Sequence, residues 1–442
     1  MRLHDTPIAL VAGALALSPL AAGHSLENPA LGGLQRRAGA GSKCGPAGGN
    51  AVCDDGLCCS EAGVCGTGGG FCTAPGCLLA FGPACDGNKR PSGADTSNTP
   101  RPRFGSVPFG VDVSSCTVPG KLALTFDDGP YIYTSALLDL LKKKNARATF
   151  FVTGNNAGKG AINDPNSGYA PILQRMIAEG HQIGSHTWSH ENLDSLTPEF
   201  RRKQFVYNEI ALVGVLGVFP SYFRPPYTVC NADCYAELGA LGYKVVNYDV
   251  DPKDWEDGGA KSHQIFTSAI DSGRQSEYLV LAHDVQPFTV DGFAEFMIDK
   301  AQAAGFEIVP AGECLGEPES QWYRDPKTGA ARSARGAGPV EEPEPEPSKK
   351  PDTTPTGTGG VKRPVITPTP VPTFKVTELP RNSTSTAEPT KGSSTITTAA
   401  AATTTTGTST GTASSQETGA AGVARPGTFL GLLGLGAALV LA

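Results

Sequence analysis

The sequence predicts an α/β protein whose largest unit is a distorted (β/α) barrel, preceded by a small disulfide-rich module and followed by a disordered tail. Three observations lead to this prediction. Strand-like and helix-like patterns alternate over residues 116–316, eight cysteines fall within 44–85, and Ser, Thr and Pro dominate 324–418. Alternating strands and helices over ~200 residues indicate a parallel sheet, either open or closed as a barrel.

Seven short apolar runs carry the strand prediction. They lie at Leu122–Phe126, Ala148–Val152, Gln182–Gly184, Tyr222–Phe223, Tyr243–Tyr248, Tyr278–Ala282 and Phe306–Val309. Amphipathic stretches, which we expect to be helices, separate most of them: Ala136–Lys143, Pro171–Glu179, Glu199–Val215 and Ala232–Leu241. A complete barrel of this kind has about eight strands, so we expect this one to be incomplete or distorted.

The two ends of the chain have the composition of processing signals. Residues 1–22 combine Arg2 with an apolar run and small residues, which predicts a secretory signal peptide. Residues 23–43 are a candidate pro-segment, in which Arg36-Arg37 is either a dibasic processing site or two solvated arginines. Residues 419–442 combine small residues, a short spacer and an apolar end too short to span a bilayer, which predicts a removable GPI-anchor signal.

Residues 324–418 are expected to be a disordered, glycosylated stalk. From Pro351 to Thr418, 29 of 68 residues are Ser or Thr and Phe374 is the only aromatic residue, so the segment lacks the side chains that a core needs. The acidic, proline-rich run Glu341–Pro347 is expected to be extended, and Asn382-Ser383-Thr384 is an N-glycosylation sequon.

The cysteine-rich module at 44–85 is expected to be held together by disulfides, because eight cysteines in 42 residues leave few side chains for an apolar core. Twelve cysteines behind a secretory signal indicate an oxidising compartment, which disfavours zinc as the alternative partner of closely spaced cysteines. The sequence alone leaves their connectivity open. Residues 86–115, rich in Pro, Ser, Gly and Asn, are expected to be a flexible linker.

The net charge and the positions of the histidines reduce the number of function classes that the chain could belong to. The formal net charge of -7 argues against a nucleic-acid-binding protein. Beyond His24, every histidine lies between His181 and His283, so imidazole chemistry in the mature chain is confined to the predicted barrel.

Polar side chains follow five of the predicted strands at their carboxyl ends. Active sites of parallel α/β folds gather at this edge, so we expect the five clusters to meet. They are Asp127-Asp128, His186 with His190, Arg224-Pro225-Pro226-Tyr227, Asp251 with Asp254 and Trp255, and His283-Asp284.

A metal site is the strongest hypothesis for these clusters. His186 and His190, four residues apart, lie on one face of a helical turn, and a carboxylate such as Asp128 completes a set of ligands for a divalent cation. Non-haem iron oxygenases share this ligand set, but they need neither a second adjacent carboxylate nor a separate histidine. Each cluster alone also fits a structural role, such as a capping pair at Asp127-Asp128 or a rigid turn at Arg224. Their occurrence in order along the chain favours one shared site.

In this order, the five segments resemble the motifs of the polysaccharide deacetylase family (carbohydrate esterase family 4) from about Cys116 to Cys314. The resemblance implies a distorted barrel that removes acetyl groups from polysaccharides with one divalent metal, expected to be zinc with cobalt as the alternative. It implies that Asp127 is the general base, held by Arg224, and that His283 is the general acid, tuned by Asp254. The metal ligands are then Asp128, His186 and His190. The backbone N–H of Tyr227 is expected to bind the oxyanion, and Trp255 and Leu281 are expected to line the pocket.

The cysteine spacing at 44–85 resembles a hevein-like chitin-binding module. The cysteines concerned are Cys44, Cys53, Cys58, Cys59, Cys65, Cys72, Cys77 and Cys85. By this resemblance Ser60 and Phe71 contact sugar, whereas Ala62 and Val64 stand where the family has aromatic side chains, so we expect sugar binding to be weak or lost. The resemblance of the barrel to its own family implies two further disulfides, Cys116–Cys314 and Cys230–Cys234.

Together, the two resemblances predict metal-dependent hydrolysis of the N-acetyl groups of chitin or chitooligosaccharides, giving chitosan and acetate. The enzyme is expected to be a secreted monomer, GPI-anchored at the plasma membrane and cell wall. Two alternatives stay open: a deacetylase of another glycan such as acetylxylan or peptidoglycan, and a non-catalytic chitin-binding wall protein. A glycosidase would need two carboxylates flanking the glycosidic bond, and the histidine pair does not fit that scheme.

Overall fold

The structure is a computed structural model that describes residues 36–338. The predicted signal peptide at 1–22, the anchor signal at 419–442 and the stalk from residue 339 onwards lie outside the described residues. Among the helices of residues 36–338, none has the length and apolar character needed to cross a membrane.

The N-terminal module consists of short elements around buried cystines. Strands β1 (Arg37–Ala38) and β2 (Val52–Cys53) pair in parallel, strands β3 (Cys58–Cys59) and β4 (Cys65–Gly66) pair antiparallel, and a single helical turn, α1 (Gly69–Cys72), follows. The disulfides are Cys44–Cys59, Cys53–Cys65, Cys58–Cys72 and Cys77–Cys85. Because β1 belongs to the module, the predicted pro-segment 23–43 is wrong for residues 36–43.

Eight strands form one curled, all-parallel sheet, which confirms the predicted α/β class. Their bounds are β5 (Asp112–Val113), β6 (Lys121–Asp127), β7 (Thr149–Val152), β8 (Gln182–Ser185), β10 (Tyr222–Phe223), β11 (Lys244–Val246), β12 (Tyr278–His283) and β13 (Glu307–Ile308), while β9 (Phe219–Pro220) lies outside it. The order is β12-β6-β7-β8-β10-β11-β5, and β13 pairs with the start of β6. Beyond β11, Val250 forms a single bridge to Val280 of β12.

Helices cover this sheet, and α4 illustrates how the sequence defines their bounds. The helices are α2 (Thr134–Lys143), α3 (Tyr169–Ala178), α4 (Pro198–Leu216), α5 (Ala232–Ala240), α6 (Ser262–Asp271), α7 (Ala294–Ala303) and α8 (Ala311–Cys314). The Thr197 hydroxyl accepts from the backbone N–H of Phe200, Pro198 occupies the first turn, and Gly217 ends the helix with φ 72°. All four predicted helices are present, whereas α6, α7 and α8 were not predicted.

The core lies on both faces of the sheet, as expected for parallel strands that helices cover. Every residue of β12 is buried, and so is every residue of β6 after Lys121.

The disulfide Cys116–Cys314 joins the two ends of the barrel, and Cys230–Cys234 closes a loop before α5. All twelve cysteines lie in the described range and none is free, so the zinc alternative for the N-terminal module does not hold.

Residues 86–115 are not a flexible linker. Thr96 donates to Glu209 of α4 at 2.5 Å, and Arg101 makes two 2.8 Å bonds to the same buried carboxylate. Further along, the backbone N–H groups of Ser106 and Val107 donate to Glu317. Composition predicted a loop correctly, but it did not reveal the partners on distant elements that fix this loop to the barrel.

The predicted start of the stalk at residue 324 is also wrong. Strands β14 (Tyr323–Arg324) and β15 (Ala331–Arg332) form a three-stranded antiparallel sheet with β9. The buried Arg324 guanidinium donates to the carbonyls of Pro102, Gly242 and Gly329. The folded unit therefore continues to at least residue 338.

Candidate active site

The polar clusters predicted at the strand ends lie together at the carboxyl edge of the sheet. Asp127 ends β6 and His283 ends β12, and these two residues are paired in register. His186 directly follows β8, and Arg224 directly follows the neighbouring strand β10. Parallel pairing of adjacent strands therefore brings the side chains into one buried site. The predicted helical turn at His186–His190 is wrong, because this segment is irregular and His190 has a left-handed φ of 58°.

Asp128, His186 and His190 form a triad whose ligand atoms lie within 4.8 Å of one another. The Nε2 atoms of His190 and His186 lie 2.9 Å and 3.4 Å from the same oxygen, Oδ1 of Asp128. Burial alone would raise the pKa of Asp128, but the two imidazoles lower it well below its ordinary value. Asp128 is therefore an ionised carboxylate at neutral pH.

The tautomer of His186 is set by the backbone of the neighbouring strand end. Its Nδ1 lies 2.7 Å from the carbonyl oxygen of Arg224. Since a carbonyl only accepts hydrogen bonds, Nδ1 carries a proton, and Nε2 is the nitrogen that faces the triad and becomes a metal ligand once it is deprotonated. This is the arrangement that orients a metal-ligating imidazole.

Asp127 lies beside the triad but is held by Arg224. The Arg224 Nη1 donates to Asp127 Oδ1 at 2.8 Å and to Thr125 Oγ1 at 2.7 Å. The other Asp127 oxygen lies 3.8 Å from Nε2 of His186. Asp127 is thus fixed at the edge of the triad, with its second oxygen next to the His186 ring.

His283 and Asp254 form a second, separate pair. Nδ1 of His283 lies 2.8 Å from Asp254 Oδ1, and the backbone N–H of His283 donates to Oδ2 at 2.7 Å. Burial alone would lower the pKa of His283, but the charge and hydrogen bond of Asp254 raise it to about 10. The imidazole therefore carries a proton at neutral pH and can donate it.

The three predicted substrate contacts occupy different depths. Tyr227 is 43% exposed, and its ring packs edge-on against His190 with centroids 4.7 Å apart. Trp255 is half-buried beneath the ammonium group of Lys253, and Leu281 is buried in β12. The structure therefore places Tyr227 and Trp255 at the surface around the site and Leu281 in its wall.

The two predicted sugar contacts of the N-terminal module make contacts within the module. Ser60 is 7% exposed, and its hydroxyl donates to the carbonyl of Val64 at 3.2 Å. Phe71 is half-buried and lies directly over Gly66, where a side chain would collide with its ring.

Comparison with known proteins agrees with this geometry. The family profile described as polysaccharide deacetylase matches residues 114–246. A chitin deacetylase of Pestalotiopsis sp is 42% identical over 233 residues, which are 53% of this chain and 76% of that protein. The chain belongs to the polysaccharide deacetylase family. The profile described as chitin recognition protein matches residues 43–82 of the N-terminal module.

Two further comparisons concern one fungus. A chitin deacetylase of Colletotrichum lindemuthianum is 39% identical over 225 residues, which are 49% of this chain and 88% of that protein. A solved structure of the chitin deacetylase from this fungus covers 50% of this chain and 97% of its own, with 39% identity and a TM-score of 0.47.

Members of this family use a divalent metal, and the triad of this deacetylase fits one. Asp128 Oδ1 is buried and has no hydrogen-bond donor within the described residues, while the Nε2 atoms of two histidines converge on it. A carboxylate and two imidazoles are ligands that suit zinc and similar cations. A divalent cation is the partner that this cluster of acceptors lacks.

Three residues of the site were not predicted. Thr125 precedes Asp127 by two positions, so strand alternation placed both on one face and could have revealed it. Thr289 donates to Asp254 at 2.6 Å from a π-helical turn, Thr289–Phe293, and no local pattern links the two. Lys159 donates to the backbone of Asp128, again from a distant loop.

We expect Asp127→Asn to retain the metal and His186→Ala to lose it, because Asp127 is held by Arg224 outside the triad whereas His186 supplies one of three ligands. Metal content per chain after dialysis distinguishes the variants. His263→Ala is the matched control, since His263 is exposed and packs against Phe293 and Phe296 away from the triad. Loss of metal from Asp127→Asn would contradict the assignment of ligands.

Proposed function

We propose that this protein is a metal-dependent chitin deacetylase that hydrolyses the N-acetyl groups of N-acetylglucosamine units, giving chitosan and acetate. The observation that carries the proposal is the position of Asp127, held by Arg224 between the metal-binding triad and the protonated His283. The match of residues 43–82 to chitin recognition proteins, and the chitin deacetylases among its relatives, favour chitin over other acetylated glycans.

Amide hydrolysis needs a stronger nucleophile than bulk water and a proton for the leaving amine. A divalent cation at Asp128, His186 and His190 supplies Lewis acidity, which makes water more acidic and polarises the acetyl carbonyl. Asp127 takes the proton from the attacking water as general base. Arg224 holds the Asp127 carboxylate in position by the 2.8 Å bond, so that its free oxygen faces the reacting water.

The second half of the reaction depends on His283. The C–N bond breaks as the imidazolium of His283 gives its proton to the nitrogen of the sugar, and the products are acetate and a glucosamine unit. The backbone N–H of Tyr227, in a turn at Pro226–Thr228, is the proposed donor to the oxyanion, a contact worth ~3–4 kcal/mol in comparable sites. Trp255 and Leu281 are proposed to contact the acetyl group and the sugar.

The metal is proposed to be zinc, with cobalt as a functional substitute. Two imidazoles and one carboxylate leave open coordination positions, which a hydrolytic zinc site requires.

Acetate release from N-acetylglucosamine oligomers by the purified full chain tests the activity. We expect release that a chelator abolishes and that zinc or cobalt restores. Asp127→Asn should lower kcat by ~10²–10⁴-fold, the usual loss on removing a general base. Asp139→Asn, the same change on the exposed surface of α2, is the control. If acetate is released only from acetylxylan or peptidoglycan, that glycan is the substrate in place of chitin. If no glycan yields acetate, the result favours a non-catalytic wall protein.

The pH dependence of activity tests the role of His283. Its pKa is raised above the ordinary 6.5, so the imidazolium is lost only as pH rises towards about 10, and activity should fall on that alkaline side. Asp254→Asn removes the charge that raises the pKa, so the alkaline limb of kcat/KM should move to lower pH. Asp257→Asn, an exposed carboxylate on the same loop, should leave the limb unchanged. An unshifted limb in Asp254→Asn would exclude His283 as the acid.

We also propose that the enzyme is secreted and held at the plasma membrane and cell wall by a GPI anchor. The support is the composition of residues 1–22 and 419–442 and the Ser/Thr-rich stalk between the enzyme and the chain end. Release of the enzyme from intact cells by a phosphatidylinositol-specific phospholipase is the expected result. Retention after this treatment, with loss into the medium on salt washing, would indicate a peripheral wall protein instead.

A further inference from the structure

The N-terminal module packs against the barrel at two loops, one that carries proposed metal ligands and one that contacts the backbone of a third ligand. Leu196, just before α4, and Phe200, in its first turn, pack on an apolar cluster of the module formed by Cys58, Cys77, Leu79 and Cys85. The backbone N–H of Ala157 donates to the carbonyl of Ala74 at 3.0 Å, and the Asn155 amide donates to the carbonyl of Asp86 at 3.4 Å. We refer to these contacts as the module interface.

The first loop at the module interface, residues 153–162, delivers Lys159 to the back of the metal site. The Lys159 Nζ donates to the carbonyl of Asp128 at 2.9 Å and to that of Gly129 at 3.1 Å. Asp128 has φ 76°, a left-handed backbone conformation that is unfavourable in energy for residues other than glycine. A donor that binds both carbonyls of this turn stabilises the backbone that points the Asp128 carboxylate at the two histidines.

The same loop also contacts the segment that carries the histidines. The backbone N–H of Gly154 donates to the carbonyl of Thr187, and that of Asn155 donates to the carbonyl of Trp188. Both bonds lie between the ligands His186 and His190. Residues 153–162 thus connect the module, the Asp128 turn and the histidine segment.

The second loop at the module interface is the histidine segment itself. Gly87, two residues after the last cysteine of the module, lies so close to Ser189 that a Cβ at this glycine would be 2.7 Å from the serine hydroxyl oxygen. Ser189 precedes the ligand His190, and its backbone N–H donates to Gln204 at 2.8 Å. His190 has φ 58°, again left-handed. Displacement of Ser189 would therefore be transmitted to a strained ligand one residue away.

We propose that Lys159 is a positioning residue for the metal ligand Asp128, and that the module is part of the scaffold of the metal centre because it holds the loops of Lys159 and His190. This inference rests on the proposed metal site but adds to it: the module contributes to metal affinity whether or not it binds sugar. The inward contacts of Ser60 and Phe71 are consistent with a module that has this structural task.

Zinc titration of the chelator-stripped full chain tests the proposal without any substrate. Lys159→Met removes the Nζ donor and keeps the chain length, and Lys121→Met makes the same change at the opposite end of β6. Gly87→Ala places a methyl group against Ser189 just beyond the module, and Gly70→Ala places one in open space on the module. We expect the zinc Kd to rise by ~10–100-fold for Lys159→Met, by a smaller factor for Gly87→Ala, and not at all for the two controls.

Activity at saturating zinc provides a second readout. If Lys159 only positions a ligand, kcat of Lys159→Met should largely recover once the site is filled. Unchanged zinc affinity in both Lys159→Met and Gly87→Ala, including the case in which only the melting temperature falls, would overturn the inference while leaving the proposed function intact. Should Lys159→Met not fold, Gly87→Ala with its Gly70→Ala control decides alone. A wild-type chain that takes up no zinc or cobalt would instead overturn the metal-dependent function.

Discussion

The buried guanidinium of Arg224 is the interaction on which the geometry of the site depends. It donates to Asp127 and Thr125 on β6, and to the carbonyls of Val246 and Asn247 at the end of β11. Its own carbonyl accepts from His186 after β8. A buried charge without such partners would be severely destabilising, so the strand ends can only assemble in the arrangement that satisfies it. The same bonds that compensate this charge set the position of the base and the tautomer of a metal ligand.

Around this centre, backbone strain is concentrated where ligands and substrate contacts lie. Four residues of the site, none of them glycine, have left-handed φ values: Asp128 at 76°, Thr187 at 70°, His190 at 58° and Tyr227 at 57°. Such conformations persist only where surrounding contacts fix them. The contacts are visible here, since Lys159 holds the Asp128 turn and the hydroxyl of Thr187 accepts from the backbone N–H of His190 at 3.0 Å. The strained backbone at the site is therefore held in place by contacts from within the same site.

Local patterns in the sequence predicted what depends on neighbouring residues. Seven strands, four helices and the order of the five polar clusters follow from alternation of apolar and polar residues and from where each strand stops. Strand β5 was missed because Asp112–Val113 is short and pairs with β11 through the backbone, which no side-chain pattern reports. Lys159 and Thr289 were missed for a related reason: their partners, Asp128 and Asp254, are brought near only by the fold.

The error at residues 86–115 has the largest consequence for function. Its Pro and Gly content gave the right local conformation, but Glu209 and Glu317, buried on the barrel, accept hydrogen bonds from its side chains and backbone. A flexible tether would let a module search freely and would raise the local concentration of polymer at the enzyme without fixing its register. A segment bonded along its length, joined to a module that packs against the histidine loop, removes that freedom. The module therefore keeps a fixed place beside the histidine loop, and it acts on the geometry of the site rather than on encounter with the polymer.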